Sequence, residues 1–127
     1  MQINKKNRPK NLNLMTIRLP INAVISILHR VSGIGLFIGL PLMLWALQSS
    51  VSNQDSYASL MNVLHHWFTK LMLIGFAWAF FHHFYAGLRH LGQDIHWMTS
   101  LQKARLSSKI LLWLVGVSVA LFAIWIW

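Results

Sequence analysis

Cysteine is absent from the 127-residue chain, and only two residues are acidic. Without cysteine the chain can form no disulfide, no thiolate nucleophile and no cysteine-bound iron–sulfur cluster, so any metal must be bound through histidine nitrogen or oxygen. Charged residues make up 10% of the sequence, whereas a soluble domain carries about a quarter. With 56% hydrophobic residues and a mean hydropathy of +0.52, the composition predicts an integral membrane protein with no separate soluble domain.

The two acids are outnumbered by 11 basic residues, which gives a formal net charge of +9. In a soluble protein this imbalance would suggest binding to nucleic acid. Here the basic residues lie beside apolar segments of membrane-spanning length. They therefore indicate membrane topology and contact with anionic lipid, and they do not indicate a nucleic-acid partner.

Three long apolar segments predict an all-α integral membrane protein with three transmembrane helices. The last segment contains eighteen consecutive uncharged residues, enough to cross ~30 Å of hydrocarbon at ~1.5 Å per residue. The polar N-terminal tail lacks the apolar stretch of a cleaved signal peptide, so we expect a mature bacterial protein. A single membrane-anchor domain, 1–127, then contains a tail at 1–20, helices at about 21–48, 65–91 and 109–127, a loop around 49–62 and a polar connector at 92–108.

The basic residues also predict the orientation of the helices. If the helices alternate in direction, nine of the eleven basic residues fall on one side, Lys70 falls on the other, and Arg30 lies within the first helix. By the positive-inside rule, the N-terminus is cytoplasmic and the C-terminus periplasmic, in a multi-pass protein of the bacterial inner membrane. The nine residues are Lys5, Lys6, Arg8, Lys10, Arg18, Arg89, Lys103, Arg105 and Lys109.

An arginine lies inside the first predicted span, where an unpartnered charge costs roughly 2.5 kcal/mol or more. Arg30 could reach the cytoplasmic headgroups by extending its side chain. However, the polar and small residues around it recur at helical spacing. They predict one stripe that faces a bundle interior, a cavity or a polar ligand rather than lipid. The stripe consists of Asn22, Ser26, His29, Arg30 and Gly33.

The second predicted helix brings His83 to a depth in the membrane similar to that of His29 in the first helix. His83 and His90 lie two turns apart on nearly the same face, with Gly87 one turn after His83. An imidazole followed by a residue without a side chain leaves room for a flat macrocycle, so the pattern indicates haem binding. Taken singly, each histidine could instead be a hydrogen-bonded structural residue. From the residues alone, His29 and His83 could both bind one haem, and Arg30 could contact a haem propionate or a quinone carbonyl.

Two motifs identify a family resemblance. Residues 26–33 have the pattern S-x-x-H-R-x-S-G, and residues 83–94 have the pattern H-x-x-x-G-x-R-H-x-x-x-D; the pairs Arg8-Pro9 and Asn11-Leu12 precede them. Together with the length and the order of the three spans, they resemble the cytochrome b membrane-anchor subunit of succinate dehydrogenase (respiratory complex II). The resemblance covers nearly the whole chain and is to the bacterial type, which pairs with a second small hydrophobic subunit.

The resemblance implies a role for each motif residue. His83 would be an axial ligand of haem b, the other coming from the second anchor subunit, which argues against two ligands within one chain. Ser26 and Arg30 would bind ubiquinone beside the iron–sulfur subunit, and His29 and Arg30 would contact the haem propionates. The remaining motif residues would order the cytoplasmic end and its docking to the iron–sulfur subunit: Arg89, His90 and Asp94.

The implied function is that of a membrane-anchor subunit of succinate:ubiquinone oxidoreductase, with no succinate-oxidising chemistry on this chain. A flavoprotein subunit would oxidise succinate, and the iron–sulfur subunit would pass the electrons to ubiquinone. One alternative is a fumarate reductase anchor working in the reverse direction, which depends on redox potentials that the sequence does not show. Another is a non-redox transporter or assembly subunit, although three spans are few for a transporter and no internal repeat is visible.

Overall fold

The computed structural model describes Asn13 and residues 16–127, and this part of the chain contains four α-helices. Three of them are long and apolar enough to cross a membrane, which confirms the predicted all-α fold with three candidate spans. Residues 1–12, 14 and 15 lie outside the described residues, and with them most of the predicted tail and both of its motif pairs. The helices are α1 (Ile21–Ser52), α2 (Gln54–His65), α3 (Trp67–Asp94) and α4 (Leu101–Ile126), of which α2 is the short one.

The segment between the first two spans is helical rather than a loop. The loop predicted around 49–62 is wrong over most of its length, because α1 continues to Ser52 and α2 begins at Gln54. Only Asn53 separates them; its backbone is extended, and its side-chain oxygen accepts a hydrogen bond from the amide of Ser56 at 2.8 Å. Asparagine and serine favour helix caps as well as loops, so a polar segment such as this one is ambiguous by composition.

The connector before the last span is also shorter than predicted. α4 begins at Leu101, not at Lys109, and the hydroxyl of Ser100 caps it by accepting a hydrogen bond from the amide of Lys103 at 3.4 Å. Lysine and arginine are good helix formers. The basic residues of this segment therefore mark the predicted edge of the membrane, but the helix begins before them.

α3 is the central helix, because it packs against both α1 and α4. The hydrophobic core is small, and four of its eight buried residues form one cluster. Large apolar side chains on the outside remain open to lipid or to other subunits: Phe37 is 77% exposed and Ile124 is 76% exposed. Lipid is as apolar as leucine, so the bundle gains little by burying such side chains and relies on close packing and hydrogen bonds instead. The core cluster is formed by Ile25, Ala86, Leu111 and Val115.

Lys70, near the start of α3, joins the end of α4. Its Nζ donates a hydrogen bond to the main-chain oxygen of Trp127 at 3.2 Å and lies 5.4 Å from the centroid of the Trp127 ring. The ammonium group therefore has a main-chain oxygen and an aromatic face as partners. This contact fixes the ends of α3 and α4 that are remote from the α3–α4 connection.

A buried glycine lets α1 and α3 approach closely. Gly39 is buried on α1, and the ring of Phe76 from α3 lies where a Cβ of residue 39 would be. Small residues at helix interfaces in membranes serve this purpose, since they allow two backbones to come together. The packing of α1 on α3 at this depth therefore depends on the absence of a side chain.

We expect Gly39→Ala to destabilise the bundle by about 1–3 kcal/mol, because the added methyl must displace an aromatic ring in a packed interface. Thermal unfolding of the purified protein in detergent, followed by circular dichroism, measures the effect. Gly35→Ala is the matched control: a Cβ there meets no atom within 4 Å, and alanine improves helix propensity equally at both positions. Equal melting temperatures for the two variants would contradict the packing role of Gly39.

Candidate functional site

Three histidines from α1 and α3 meet in one cluster. The rings of His29 and His83 are stacked, with centroids 4.2 Å apart and planes inclined by 10°. The ring of His90 approaches His29 edge-on, at a centroid distance of 5.2 Å. The structure thus brings together His29 and His83, which the sequence places at a similar depth, and adds His90 from two turns further along α3.

His83 is held by the main chain of α1. Its Nδ1 lies 3.0 Å from the carbonyl oxygen of His29, which also accepts a hydrogen bond from the hydroxyl of Ser32 at 2.9 Å. A carbonyl oxygen can only accept, so we assign the proton of the neutral ring to Nδ1, and Nε2 then carries the lone pair. A histidine fixed in this way through one nitrogen has the arrangement typical of a metal ligand through the other.

Two glycines border the stacked rings. A Cβ at Gly33 would lie 2.8 Å from Cε1 of His83, so the absence of a side chain admits this ring to the surface of α1. A Cβ at Gly87 would lie 3.6 Å from Nε2 of His29, which is ordinary van der Waals contact. Gly33 is therefore the glycine on which the position of His83 depends.

The stack bears on whether this chain alone could hold a haem. Two axial imidazoles bind iron from opposite faces of the macrocycle, whereas the rings of His29 and His83 lie face to face at 4.2 Å with no space for a macrocycle between them. Among the described residues, no group of three or more histidine, cysteine, aspartate or glutamate side chains could hold a metal ion. A metal bound through His83 therefore needs further ligands from a macrocycle or from another chain.

Ser26 and Arg30 lie on the outer part of the same helix. The Arg30 side chain is exposed, Ser26 is half-buried, and neither side chain has a hydrogen bond or ion pair with a described residue. The surface around them is apolar: Ile27, Val31 and Ile34 are all exposed. A guanidinium group on such a surface within a membrane span calls for a counter-ion or acceptor from a ligand or another subunit.

Arg89 turns into the bundle. Its Nη2 donates to Oδ1 of Asn22 at 3.2 Å and to the carbonyl of Ala104 at 3.3 Å. Its Nε donates to the hydroxyl of Ser107 at 3.1 Å, and its Nη1 donates to Oε1 of Gln93 at 3.2 Å. One side chain thus joins α1, α3 and α4 through neutral oxygens.

Ser108 completes this network. It is fully buried, and its hydroxyl lies 2.7 Å from Oδ1 of Asn22 and 2.9 Å from the carbonyl of Ala104. Asn22, the first residue of the predicted polar stripe, therefore accepts hydrogen bonds from both Arg89 and Ser108. This end of the stripe faces the bundle interior, as the sequence pattern predicts.

The histidine next to His83 has a different environment. His82 is fully buried, its ring stacks on Trp78 with centroids 5.5 Å apart, and neither ring nitrogen has a hydrogen-bonding partner among the described residues. The main chain of Ile25 lies beside the ring but outside hydrogen-bonding geometry. His82 therefore faces the interior of the bundle, where no external ligand reaches it.

The sequence matches the family of succinate dehydrogenase/fumarate reductase transmembrane subunits over residues 4–124. The chain belongs to this family. It is 34% identical to the succinate dehydrogenase cytochrome b556 subunit of Paracoccus denitrificans over 110 residues, which are 87% of this chain and 85% of that protein. It is 33% identical to the subunit of the same name from Coxiella burnetii over 121 residues, 94% of this chain and 97% of that protein. The resemblance carried by the two motifs is thereby confirmed.

Membership of the family makes this chain a multi-pass membrane subunit of an oxidoreductase complex. The other residues of the second motif lie at the end of α3: His90 is half-buried against His29, and Asp94 is exposed and forms no ion pair with a described residue. The roles that the motifs predict for individual residues of this family member stay predictions.

Sequence reasoning missed several polar residues that hold the site together. The sequence predicts a connector at Ser107 and Ser108, but they lie on α4, three and four residues after Ala104, and so share a helix face with it. The hydroxyls of Tyr85 and Ser118 also pair at 3.0 Å between α3 and α4. A prediction that extended the last helix into the polar connector before it would have placed the two serines on this helix face.

We expect Asn22→Ala to cost about 1–3 kcal/mol of stability, because it leaves one guanidinium N–H of Arg89 without its acceptor and the Ser108 hydroxyl with the Ala104 carbonyl alone. Thermal unfolding in detergent checks this. Asn62→Ala is the matched control, since Asn62 is exposed on α2 and has no hydrogen-bonding partner among the described residues. A loss no larger than that of the control would show that the network is not required.

Proposed function

We propose that this chain is the membrane-anchor subunit of a succinate:ubiquinone oxidoreductase, in which it supplies one axial ligand to haem b and part of the ubiquinone-reduction site. The observation that carries the proposal is the geometry of His83, whose Nδ1 is bound to the His29 carbonyl so that Nε2 is free to bind iron. The names of the relatives, succinate dehydrogenase cytochrome b556 subunits, support the haem and favour succinate oxidation over the reverse reaction of a fumarate reductase.

Haem b, when bound, supplies a one-electron redox centre. His83 would hold its iron through Nε2, and the Ser32 and His83 hydrogen bonds to one carbonyl would keep the ring in the required orientation. The second axial ligand would come from a second small anchor subunit, because His29 lies parallel to His83. His29 and Arg30 would contact the haem propionates, to which a guanidinium donates strong charge-assisted hydrogen bonds.

Ser26 and Arg30 would bind the head of ubiquinone. They lie one turn apart on α1, so a hydroxyl and a guanidinium group point from neighbouring positions of the same helix surface. Both donate hydrogen bonds, which is what quinone carbonyl oxygens accept. As electrons arrive from the iron–sulfur subunit, negative charge develops on these oxygens, and the fixed positive charge of Arg30 would stabilise it.

The partner subunits follow from what this chain lacks and exposes. It has no cysteine with which to bind iron–sulfur clusters, so these belong to the iron–sulfur subunit, and succinate is oxidised on the flavoprotein subunit. His90 and Asp94, at the end of α3, would contribute to docking of the iron–sulfur subunit on the cytoplasmic side. Arg89 would order this end from within, because its hydrogen bonds join three helices.

The two adjacent histidines give a direct test of the haem assignment. We expect His83→Ala to shift or abolish the b-type band in the dithionite-reduced minus oxidised absorption spectrum of the purified complex. His82→Phe is the matched control: it keeps the ring volume against Trp78 and removes only unpartnered buried nitrogens. We therefore expect it to keep the native spectrum. A native spectrum in His83→Ala, or loss of the band only in His82→Phe, would contradict the assignment.

Arg30→Leu tests the quinone site. We expect it to lower kcat/KM for ubiquinone roughly 10- to 100-fold, the range for loss of a charged hydrogen bond. Succinate oxidation with an artificial acceptor should persist, because that chemistry lies on another subunit. Arg105→Leu removes an exposed arginine of α4 and serves as the control. Unchanged ubiquinone reduction in Arg30→Leu would remove Arg30 from the site.

A further inference from the structure

A polar pocket of about 330 Å³ lies between the end of α1 and α2. Its polar lining comes from Asp55, Ser56 and Ser59 of α2 and from Ser49 of α1, and Trp45 of α1 lies one turn before Ser49. The three α2 residues recur at the spacing of one helix face, so a carboxylate and two hydroxyl groups lie side by side. No residue of the proposed haem and quinone site lines this pocket. It is therefore a separate feature of the molecule.

The serine hydroxyls that line the pocket differ from those of the two serines beside it. Ser50 and Ser52 donate hydrogen bonds to main-chain carbonyls of their own helix, at 2.7 and 2.6 Å. Bonding of this kind is common for a serine within a helix. The hydroxyls of Ser49, Ser56 and Ser59, which line the pocket, have no hydrogen bond with a described residue. These three hydroxyls are therefore available to a ligand.

Asp55 gives the pocket a negative charge. It is exposed and forms no ion pair with a described residue. Lys70, the only lysine or arginine that the sequence predicts at this end, donates to the main-chain oxygen of Trp127 instead. In the first turn of α2 the carboxylate also favours the helix dipole, but this leaves its oxygens free to accept hydrogen bonds. Carboxylate and hydroxyl oxygens together suit a cation that carries N–H groups, as a primary ammonium group does.

An apolar groove of about 270 Å³ adjoins the pocket and runs along α1 towards the middle of the span. Three residues line both the pocket and the groove: Trp45, Leu60 and Val63. The groove reaches Gly39, ten residues before Ser49, which is ~15 Å along the helix at ~1.5 Å per residue. This length is about half of the ~30 Å hydrocarbon thickness, which is the depth of one leaflet. Tryptophan at the polar end of such a groove is typical of the headgroup level of a bilayer.

We propose that the pocket and the groove together bind a membrane phospholipid with a primary ammonium headgroup, as in phosphatidylethanolamine. Asp55 and the three free hydroxyls accept hydrogen bonds from the ammonium group, and Trp45 offers an aromatic ring to its charge. One acyl chain follows the groove to Gly39, and the rest of the lipid stays in the bilayer.

The combination of a polar pocket with a long groove selects this occupant over others. A lysine side chain from another subunit could enter the pocket but is too short for a groove of ~15 Å. The quaternary ammonium of phosphatidylcholine carries the same charge but has no N–H group to donate. An anionic headgroup such as that of phosphatidylglycerol would add a second negative charge beside Asp55. We therefore expect the site to prefer phosphatidylethanolamine to both.

Lipid titration of the intact complex tests the proposal. The complex is purified in mild detergent, stripped of lipid and titrated with each of the three phospholipids, and native mass spectrometry counts the bound lipids. We expect Asp55→Asn to weaken phosphatidylethanolamine binding about three- to fivefold, the range for an exposed ion pair, and not to weaken phosphatidylglycerol binding. Ser59→Ala should weaken phosphatidylethanolamine binding about two- to tenfold. Ser50→Ala is the matched control and should not, because that hydroxyl is bonded within its own helix.

Equal weakening of all three lipids by Asp55→Asn would show a general effect on α2 and overturn the ammonium site. An unchanged affinity for phosphatidylethanolamine in Asp55→Asn would overturn it too, as would equal losses in Ser50→Ala and Ser59→Ala.

A photoreactive residue in place of Leu42, which is exposed and lines the groove, identifies the occupant in native membranes. A phosphatidylethanolamine adduct is the expected result, and its yield should fall when Asp55→Asn is added. A covalent adduct with another subunit or with a quinone would contradict the proposal. The ubiquinone reductase activity of Asp55→Asn, which we expect to be native, is read separately, so neither outcome depends on the proposed function.

Discussion

A hydrocarbon environment supplies no water, so every polar side chain on α1 must find its partner within the bundle, on a ligand or on another subunit. The stripe meets this constraint in two ways. Towards its start, Asn22 accepts hydrogen bonds from Arg89 and Ser108 inside the bundle. One and two turns further, Ser26 and Arg30 have no partner among the described residues. The first part of the stripe therefore holds the helices together, and the second part is available to a ligand.

α3 serves two purposes because neighbouring positions on a helix point in different directions. His82 and Arg89 are seven residues apart and face the bundle interior, where the first is buried and the second joins three helices. His83 and His90 are also seven residues apart and meet His29 of α1. A shift of one residue thus separates the packing face from the imidazole cluster. For this reason His82 and His83 have different surroundings although the two have the same side chain, and the ligand role is proposed for His83 alone.

The spans, the polar stripe and the histidine cluster were predictable, because hydrophobic length and the 3.6-residue period act within one helix. The start of α4 and the presence of α2 were not, since polar residues at a membrane edge are compatible with both helix and loop. The hydrogen-bonding partners of Arg89 could not be predicted either, because they lie on three helices. The pairing of Asn22 with Ser108 likewise depends on how α1 and α4 pack. The sequence shows which polar residues are costly to bury, and only the fold shows which groups form hydrogen bonds with them.

The small core also explains why this chain should work within a complex. Its buried cluster contains only four residues, while large side chains such as Phe37 are mostly exposed. Hydrogen bonds centred on Arg89 join α1, α3 and α4 at one end, and Lys70 with Trp127 joins α3 and α4 at the other. These contacts fix the helices without using Arg30. Its charge therefore stays available to a group outside the described chain, which is what the proposed quinone and haem contacts require.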